Sequence, residues 1–294
     1  MATLRELKGR IGSVASSEKI TGAMKMISSA KMHKAEQAIR KLLPFRRQIE
    51  SIIGNLLSAD TEFTSPLLDA REVKTAAIVL LGSDDGLCGA YNVNIFKQLL
   101  IRMSELKTQF GPDLRIVLYP VGAKLTKAAH KIAGGNVTVV SAEGIDSKST
   151  TEAVKGFVET LRAGFLDGTL DRVELLYMSF RSISKQVLRC EQFLPVTQEL
   201  FAGEGVTTSS VRPYLFEPDA NTIFTSVLPL FLLSVMQEVF SENRASEQAA
   251  RVMAMQSAND NAKKLLDQLQ LEYNKLRQQS ITTELLDILG GQVR

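Results

Sequence analysis

Two long segments at opposite ends of the chain carry apolar residues three or four positions apart and contain almost no proline. Residues 2–57 include only Pro44, and residues 219–289 include only Pro229, which falls in their first turns. This periodicity predicts two long α-helices, which at about 1.5 Å per residue would extend about 84 Å and about 107 Å. The diameter of a globular domain of this size is smaller than the length of either helix. Both helices must therefore extend beyond any domain that the remaining residues form.

The apolar stripes of these two helices need a surface to cover them. The intervening segment is too short to bury both, so we expect the helices to pack against each other in an antiparallel, left-handed coiled coil. Small residues in the first helix, including Gly22, Ala23 and Ser28, would let the second helix approach closely. Such a pairing places Met1 beside Lys275 and leaves roughly the last twenty residues without a partner in the chain. We expect that overhang to occupy another protein.

The middle of the chain alternates short β-branched runs with helical stretches. The predicted strands are 75–81, 114–121, 137–140, 172–181 and 186–194, and the predicted helices are 94–110, 124–132 and 150–165. Alternation of this kind is typical of an α/β domain with a mostly parallel sheet.

The predicted fold is therefore an α/β domain inserted between two long terminal helices. Its segments are a coiled-coil helix at 1–57, a linker at 58–72, the α/β domain at 73–200, a linker at 201–218 and a coiled-coil helix at 219–294.

Composition excludes several classes of protein. Hydrophobic residues make up 45% of the 294 positions and charged residues 23%, which is typical of a chain that folds in water. No run reaches 18 uninterrupted apolar residues, so we expect no transmembrane segment. Two cysteines, Cys88 and Cys190, build neither a disulfide framework nor a zinc site, and two histidines leave little for metal chemistry. We expect no metal and no cofactor.

The first helix is strongly basic. Residues 1–50 hold eleven Lys and Arg against four Asp and Glu, whereas the whole chain has a net charge of only +3. Glu6 and Glu18 interrupt any resemblance to a mitochondrial targeting peptide. No aromatic side chain lies among the basic residues over 5–41, which argues against stacking on nucleic-acid bases. The basic residues indicate either a solvated face or a surface that docks an acidic protein.

The glycine-rich turn at 82–92, which follows the first predicted strand, is the most enzyme-like element. Its candidate residues are Asp84, Gly86, Leu87, Cys88, Gly89 and Asn92. Such a turn can cradle phosphate at a helix N-terminus, but the glycine spacing fits neither dinucleotide-binding nor P-loop motifs. Cys88 could be a nucleophile or a packed side chain, and Asp84 and Asp85 could hold magnesium or bond to backbone N–H groups.

Three stretches together resemble the gamma subunit of rotary F-type ATP synthases. They are 4–34 (LRELKGRIGSVASSEKITGAMKMISSAKMHK), 83–92 (SDDGLCGAYN) and 245–291 (ASEQAARVMAMQSANDNAKKLLDQLQLEYNKLRQQSITTELLDILGG). The resemblance covers essentially the whole chain and has the same helix, α/β domain, helix order. One departure is Asp85, where the family usually has Arg.

The resemblance implies a non-catalytic central-stalk rotor of a proton-translocating ATP synthase, on the cytoplasmic side of the bacterial plasma membrane. The implied partners are the alpha and beta subunits of the catalytic hexamer, the epsilon subunit and the membrane c-ring. Catalysis would belong to the beta subunits, so no catalytic, nucleotide or metal site is expected in this chain.

The resemblance also implies contact residues along the shaft. These are Met24, Lys25, Arg251, Arg277, Gln278 and Thr282. The first two would meet beta levers at a collar that Arg251 shares, and the last three would meet beta loops near the apex. The turn would support the domain or make a foot contact.

Two other classes of function are compatible with the predicted elements. One is an enzyme built on the α/β domain, with the helices as a dimerisation arm. The other is a homotypic coiled-coil scaffold or a nucleic-acid binder, which would self-associate or bind DNA with a steep salt dependence.

Overall fold

A computed structural model of the chain describes residues 3–57, 65–142, 144–197 and 216–291. Its helices are α1 (Leu4–Leu57), α2 (Tyr91–Phe110), α3 (Ala123–Ala129), α4 (Thr151–Leu166) and α5 (Ala220–Gly291). Its strands are β1 (Thr75–Leu81), β2 (Arg115–Val121), β3 (Val137–Val139), β4 (Arg172–Phe180) and β5 (Gln186–Leu194).

These elements divide between two compact units. One contains α1 up to Ser29 and α5 from Arg251, and the other is Ala30–Ala250. The unit that holds the sheet therefore takes in the second part of α1 and the first part of α5, whereas the sequence predicted domain limits at 73 and 200. Parts of both predicted linkers, 58–64 and 201–215, lie outside the described residues, as do 198–200 of the predicted domain and Met1 of the predicted pairing with Lys275.

The central sheet has five strands in the order β3-β2-β1-β4-β5. The first four are parallel, and β5 closes the sheet as an antiparallel partner of β4. The strand β1 is buried along its whole length, because helices cover both faces of the sheet. The predicted mostly parallel sheet between two long terminal helices is confirmed.

Two apolar clusters cover the two faces of the sheet. Ala76, Ile78 and Leu80 of β1 pack with buried side chains of α2 and α3 on one face. The alternate residues of β1 pack on the other face with α4 and with parts of α1 and α5. This two-residue alternation is what a strand requires when both of its faces are buried.

The first part of α5 is a core helix of the sheet-containing unit. It includes an 18-residue window with mean hydropathy of 1.8, apolar enough to cross a membrane, and half of that window is buried inside the protein. Phe224, Leu228 and Phe231 are fully buried in the cluster on the sheet. Packing in the core therefore accounts for the hydropathy of this stretch.

Two helix boundaries differ from the predicted ones by three residues. Helix α2 begins at Tyr91 rather than Asn94, because the Tyr91 N–H already bonds the Cys88 carbonyl oxygen at 3.3 Å as the turn ends. Helix α3 ends at Ala129 rather than Ile132, because the N–H groups of Lys131 and Ile132 bond carbonyl oxygens only three residues back.

In the other unit, α1 and α5 approach closely at a small residue. The Asn259 amide donates to the Glu18 carbonyl oxygen at 2.6 Å and lies 3.3 Å from the Thr21 hydroxyl. A Cβ on Gly22 would lie 3.3 Å from that amide nitrogen. Leu7 and Leu269, which an antiparallel pairing brings to the same level, are both buried. The expected close approach at Gly22 is confirmed, and the left-handed supercoil stays a prediction.

Helix α5 continues far beyond its last buried residue. Leu269 is 3% exposed, and none of residues 270–289 is buried. That stretch is about 30 Å of helix, and it includes large apolar side chains such as Leu285, which is 56% exposed.

Leu230 and Leu232 of α5 lie two positions apart, and only Leu232 is buried. Substituting each of them tests how much the buried side of α5 contributes to stability. Replacing the fully buried Leu232 by Ala should lower the free energy of unfolding by about 2–5 kcal/mol, because the change leaves a cavity. Leu230→Ala is the matched control, since Leu230 is 49% exposed and should lose about 1 kcal/mol or less. Urea unfolding of the purified chain measures both, and equal losses would contradict this packing.

Candidate functional site

The turn after β1 lies at the carboxyl edge of the sheet, where the strand order reverses. From β1 the chain crosses through α2 to β2 on one side, and β4 lies on the other side of β1. In open α/β sheets, ligands bind in the crevice at this point. The turn is therefore the place in the fold where a nucleotide would be expected.

A compact set of hydrogen bonds fixes the shape of this turn. The Asn92 amide oxygen accepts from the Ser83 backbone N–H at 3.1 Å, and its NH₂ group donates to the Ser83 hydroxyl at 2.7 Å. The same NH₂ group lies 3.4 Å from the Cys88 sulfur, which is buried. Both predicted residues, Asn92 and Cys88, thus hold the turn together, and the thiol is enclosed rather than presented to a substrate.

The two aspartates of the turn bind protein groups. The Asp84 carboxylate accepts from the Ala123 N–H at 3.1 Å and from the Ser147 hydroxyl and N–H at 2.6 and 3.1 Å. Asp85 forms an ion pair with Lys148 at 3.2 Å, and this hydrogen bond and charge raise the pKa of the Lys148 ammonium. Within the described ranges, no three His, Cys, Asp or Glu side chains gather as metal ligands.

Side chains of the protein fill the crevice itself. Asn243 of α5 is 1% exposed, and its NH₂ group donates to the Gly82 carbonyl oxygen at 3.0 Å. The Tyr91 hydroxyl donates to the Asn243 amide oxygen at 2.5 Å. A Cβ on Gly82 would lie 2.5 Å from a methyl carbon of Leu125, and one on Gly122 would lie 2.9 Å from the Ser83 backbone. The glycines here permit close packing, which leaves no cradle for a phosphate.

One large apolar side chain of the turn, Leu87, faces outward. Leu87 has a positive φ of 65° and is 57% exposed. A non-glycine residue in this conformation is uncommon, and the surrounding hydrogen bonds hold it there. Leu87 is therefore an apolar part of the turn that another protein could contact.

The predicted shaft residues fall into three environments. Met24 and Lys25 are half-buried on α1, Arg251 is 5% exposed, and Arg277, Gln278 and Thr282 are exposed on the unpaired part of α5. The Thr282 hydroxyl donates to the Gln278 carbonyl oxygen within the helix at 2.9 Å. The burial of Arg251 favours contacts within this chain over a direct contact with another subunit.

Sequence reasoning missed Asn243 and Ser147, the residues that close the crevice. The available signal was a polar residue on the buried stripe of α5, three positions after the buried Phe240. Such a residue must find hydrogen-bond partners inside the protein, but the sequence does not say which ones.

We expect the purified chain to bind no ATP, because the Asn243 side chain and tightly packed glycines occupy the crevice. Isothermal titration calorimetry at micromolar protein concentration measures this. A saturable heat with a micromolar dissociation constant would contradict the assignment of the turn as a structural element.

Comparison with known proteins agrees with this architecture. The family model described as ATP synthase matches residues 3–293. The ATP synthase gamma chain of Phocaeicola vulgatus is 43% identical over 299 residues, covering 100% of both chains. The ATP synthase gamma chain of Chromobacterium violaceum is 39% identical over 292 residues, covering 99% of each.

Solved structures share the fold at lower identity. The rotor of Euglena gracilis mitochondrial ATP synthase superposes with a TM-score of 0.59 at 20% identity, covering 95% of this chain and 98% of that one. A chain of the OSCP/F1/c-ring structure from the same organism gives 0.64 at 19% identity, covering 98% and 93%. The family model and the full-length relatives together show that this chain belongs to the ATP synthase gamma chain family.

Proposed function

We propose that this chain is the shaft that couples rotation of a membrane c-ring to conformational changes in three catalytic beta subunits. Gamma chains are non-catalytic subunits of the ATP synthase complex, whose catalytic sites lie in the beta subunits. The proposed partners are the alpha and beta subunits around the shaft, with the epsilon subunit and the c-ring at its foot. The proposed location is the cytoplasmic side of the bacterial plasma membrane, since the full-length relatives named above are bacterial.

The exposed continuation of α5 beyond Leu269 carries this proposal. None of residues 270–289 is buried, and a single helix without packing partners is only marginally stable in water. Its exposed apolar side chains, among them Leu285, Leu286 and Leu289, are those of a segment enclosed by a partner. A ring of alpha and beta subunits around that segment supplies such an enclosure.

A shaft changes the beta subunits only by contacting each of them differently. A ligand shifts a conformational equilibrium only through differential affinity for the two states. Moving a subunit almost wholly from one state to the other requires about 5.5 kcal/mol of differential binding. One off-axis shaft facing three identical subunits provides three different contacts, and a few charge pairs and packed side chains reach that energy.

The contact residues at the apex are Arg277, Gln278 and Thr282. All three are exposed on the unpaired part of α5, so their side chains are free to meet beta loops. The shaft surface must separate from each beta subunit at every step. Polar contacts suit this requirement, because water can replace the lost hydrogen bonds and the net cost of separation is small.

The contact residues nearer the foot are Met24 and Lys25, which would meet beta levers. Their half-burial leaves part of each side chain accessible. Arg251 would support this collar from inside, since it is 5% exposed. Leu87 is the proposed foot contact of the turn, because it is the large apolar side chain exposed there.

The double substitution of Arg277 and Gln278 by Ala tests the apex contacts. ATP synthesis in membrane vesicles should fall about tenfold while assembly stays intact, because charge-assisted contacts are lost without any change in the core. Gln109→Ala with Arg115→Ala is the matched control, since both residues are exposed on the α/β part. Unchanged ATP synthesis in the Arg277 and Gln278 variant would count against the proposal.

A further inference from the structure

Two consecutive residues of α5, Asn243 and Arg244, bond to the carboxyl edge of the sheet in two different directions. Before them, α5 is held mainly by apolar side chains such as Phe231 and Val235. We call the contacts of Asn243 and Arg244 with Gly82, Tyr91 and Ser147 the polar clamp.

Asn243 forms the more deeply buried half of the polar clamp. Its NH₂ group donates to the Gly82 carbonyl oxygen at the end of β1, at 3.0 Å. Its amide oxygen accepts from the Tyr91 hydroxyl at the start of α2, at 2.5 Å, and that hydroxyl also lies 3.1 Å from the Asn243 carbonyl oxygen. One side chain thus joins a strand, a helix of the domain and α5.

Arg244 forms the other half, against the loop before α4. Its guanidinium donates to the Ser147 carbonyl oxygen at 3.0 Å and to the Ser149 carbonyl oxygen at 3.5 Å. Ser147 is itself fixed by Asp84, which accepts from its hydroxyl at 2.6 Å and also bonds the first residue of α3. Asp84 therefore holds in place the part of the loop to which Arg244 bonds.

The two directions matter because successive residues point about 100° apart around a helix axis. Rotation of α5 would disturb its buried apolar side chains, but apolar burial has no preferred direction. It therefore fixes the angle of a helix about its axis less sharply than hydrogen bonds do. Hydrogen bonds weaken steeply when their angle changes. Two of them on different sides of one helix oppose rotation in either sense.

We propose that Asn243 and Arg244 are positioning residues that lock α5 against rotation about its own axis at the carboxyl edge of the sheet, so that torque passes between the α/β domain and the shaft helix. This inference rests on the proposed rotor function. It adds the place in this chain where torque is transferred between the α/β domain and α5. It also explains why the enzyme-like turn is packed so tightly.

The test uses the whole complex, reconstituted in sealed vesicles with Tyr91→Phe and Arg244→Gln combined in this chain. The first substitution removes only the hydroxyl that bonds Asn243, and the second removes the guanidinium. ATP hydrolysis with the gradient collapsed should stay within about twofold of wild type. Proton pumping against an imposed gradient should fall about fivefold, the factor expected from losing one net hydrogen bond under load.

Tyr119→Phe combined with Arg162→Gln is the matched control. The Tyr119 ring packs on Phe157 at 5.9 Å, and Arg162 pairs with Glu159 one turn away on α4, so this variant should pump as the wild type does. Restoring a cation with Arg244→Lys should recover part of the lost pumping, since an ammonium can still donate to the Ser147 carbonyl oxygen.

Two results would overturn the polar clamp alone. One is wild-type pumping against the gradient by the clamp variant, and the other is an equal loss of unloaded hydrolysis, loaded pumping and assembly, which a purely structural role predicts. A wild-type chain that assembles but supports no pumping would overturn the proposed rotor function and the polar clamp with it.

Discussion

Pairing of the two chain ends is the constraint on which the rest of the molecule depends. Each end is one helix, 54 residues in α1 and 72 in α5, and a helix of that length is stable in water only when its apolar stripe is covered. The first part of α5 is covered by the sheet-containing unit, and Asn259 contacts α1 through a site kept open by Gly22. Over 270–289, α5 has no buried residue, and that excess is the feature on which the proposed partner rests.

The sheet illustrates how the crevice of a ligand-binding topology can be filled by the protein's own side chains. Its strand order places a turn at the crevice where related architectures bind nucleotides. Here Asn243 enters that crevice from α5, and Gly82 and Gly122 bring backbone segments too close for a phosphate. Fold alone would have suggested an enzyme, whereas the occupied site indicates a mechanical attachment.

Most of the architecture could be predicted from the sequence because its signals are local. The apolar periodicity of α1 and α5 and the β-branched run of β1 depend on neighbouring residues, so their bounds were predicted closely. The burial of Asn243 and Arg251 could not be predicted in this way. Both are polar residues in a long helix, and their burial depends on elements distant in the sequence. The turn was predictable in part. Its own residues were identified, but their partners Ser147 and Lys148 follow more than fifty positions later in the sequence.

The most direct test of the paired ends is a distance measured between spin labels in the chain with Cys88 and Cys190 replaced by Ser. Labels at Lys19 and Asn261, both exposed, should lie within about 20 Å, because packed helices have axes about 8–10 Å apart. Labels at Lys19 and Leu285 should lie near or beyond about 36 Å, the rise of the intervening helix. A long distance for the first pair, or similar distances for both, would contradict the antiparallel shaft with an overhanging tip.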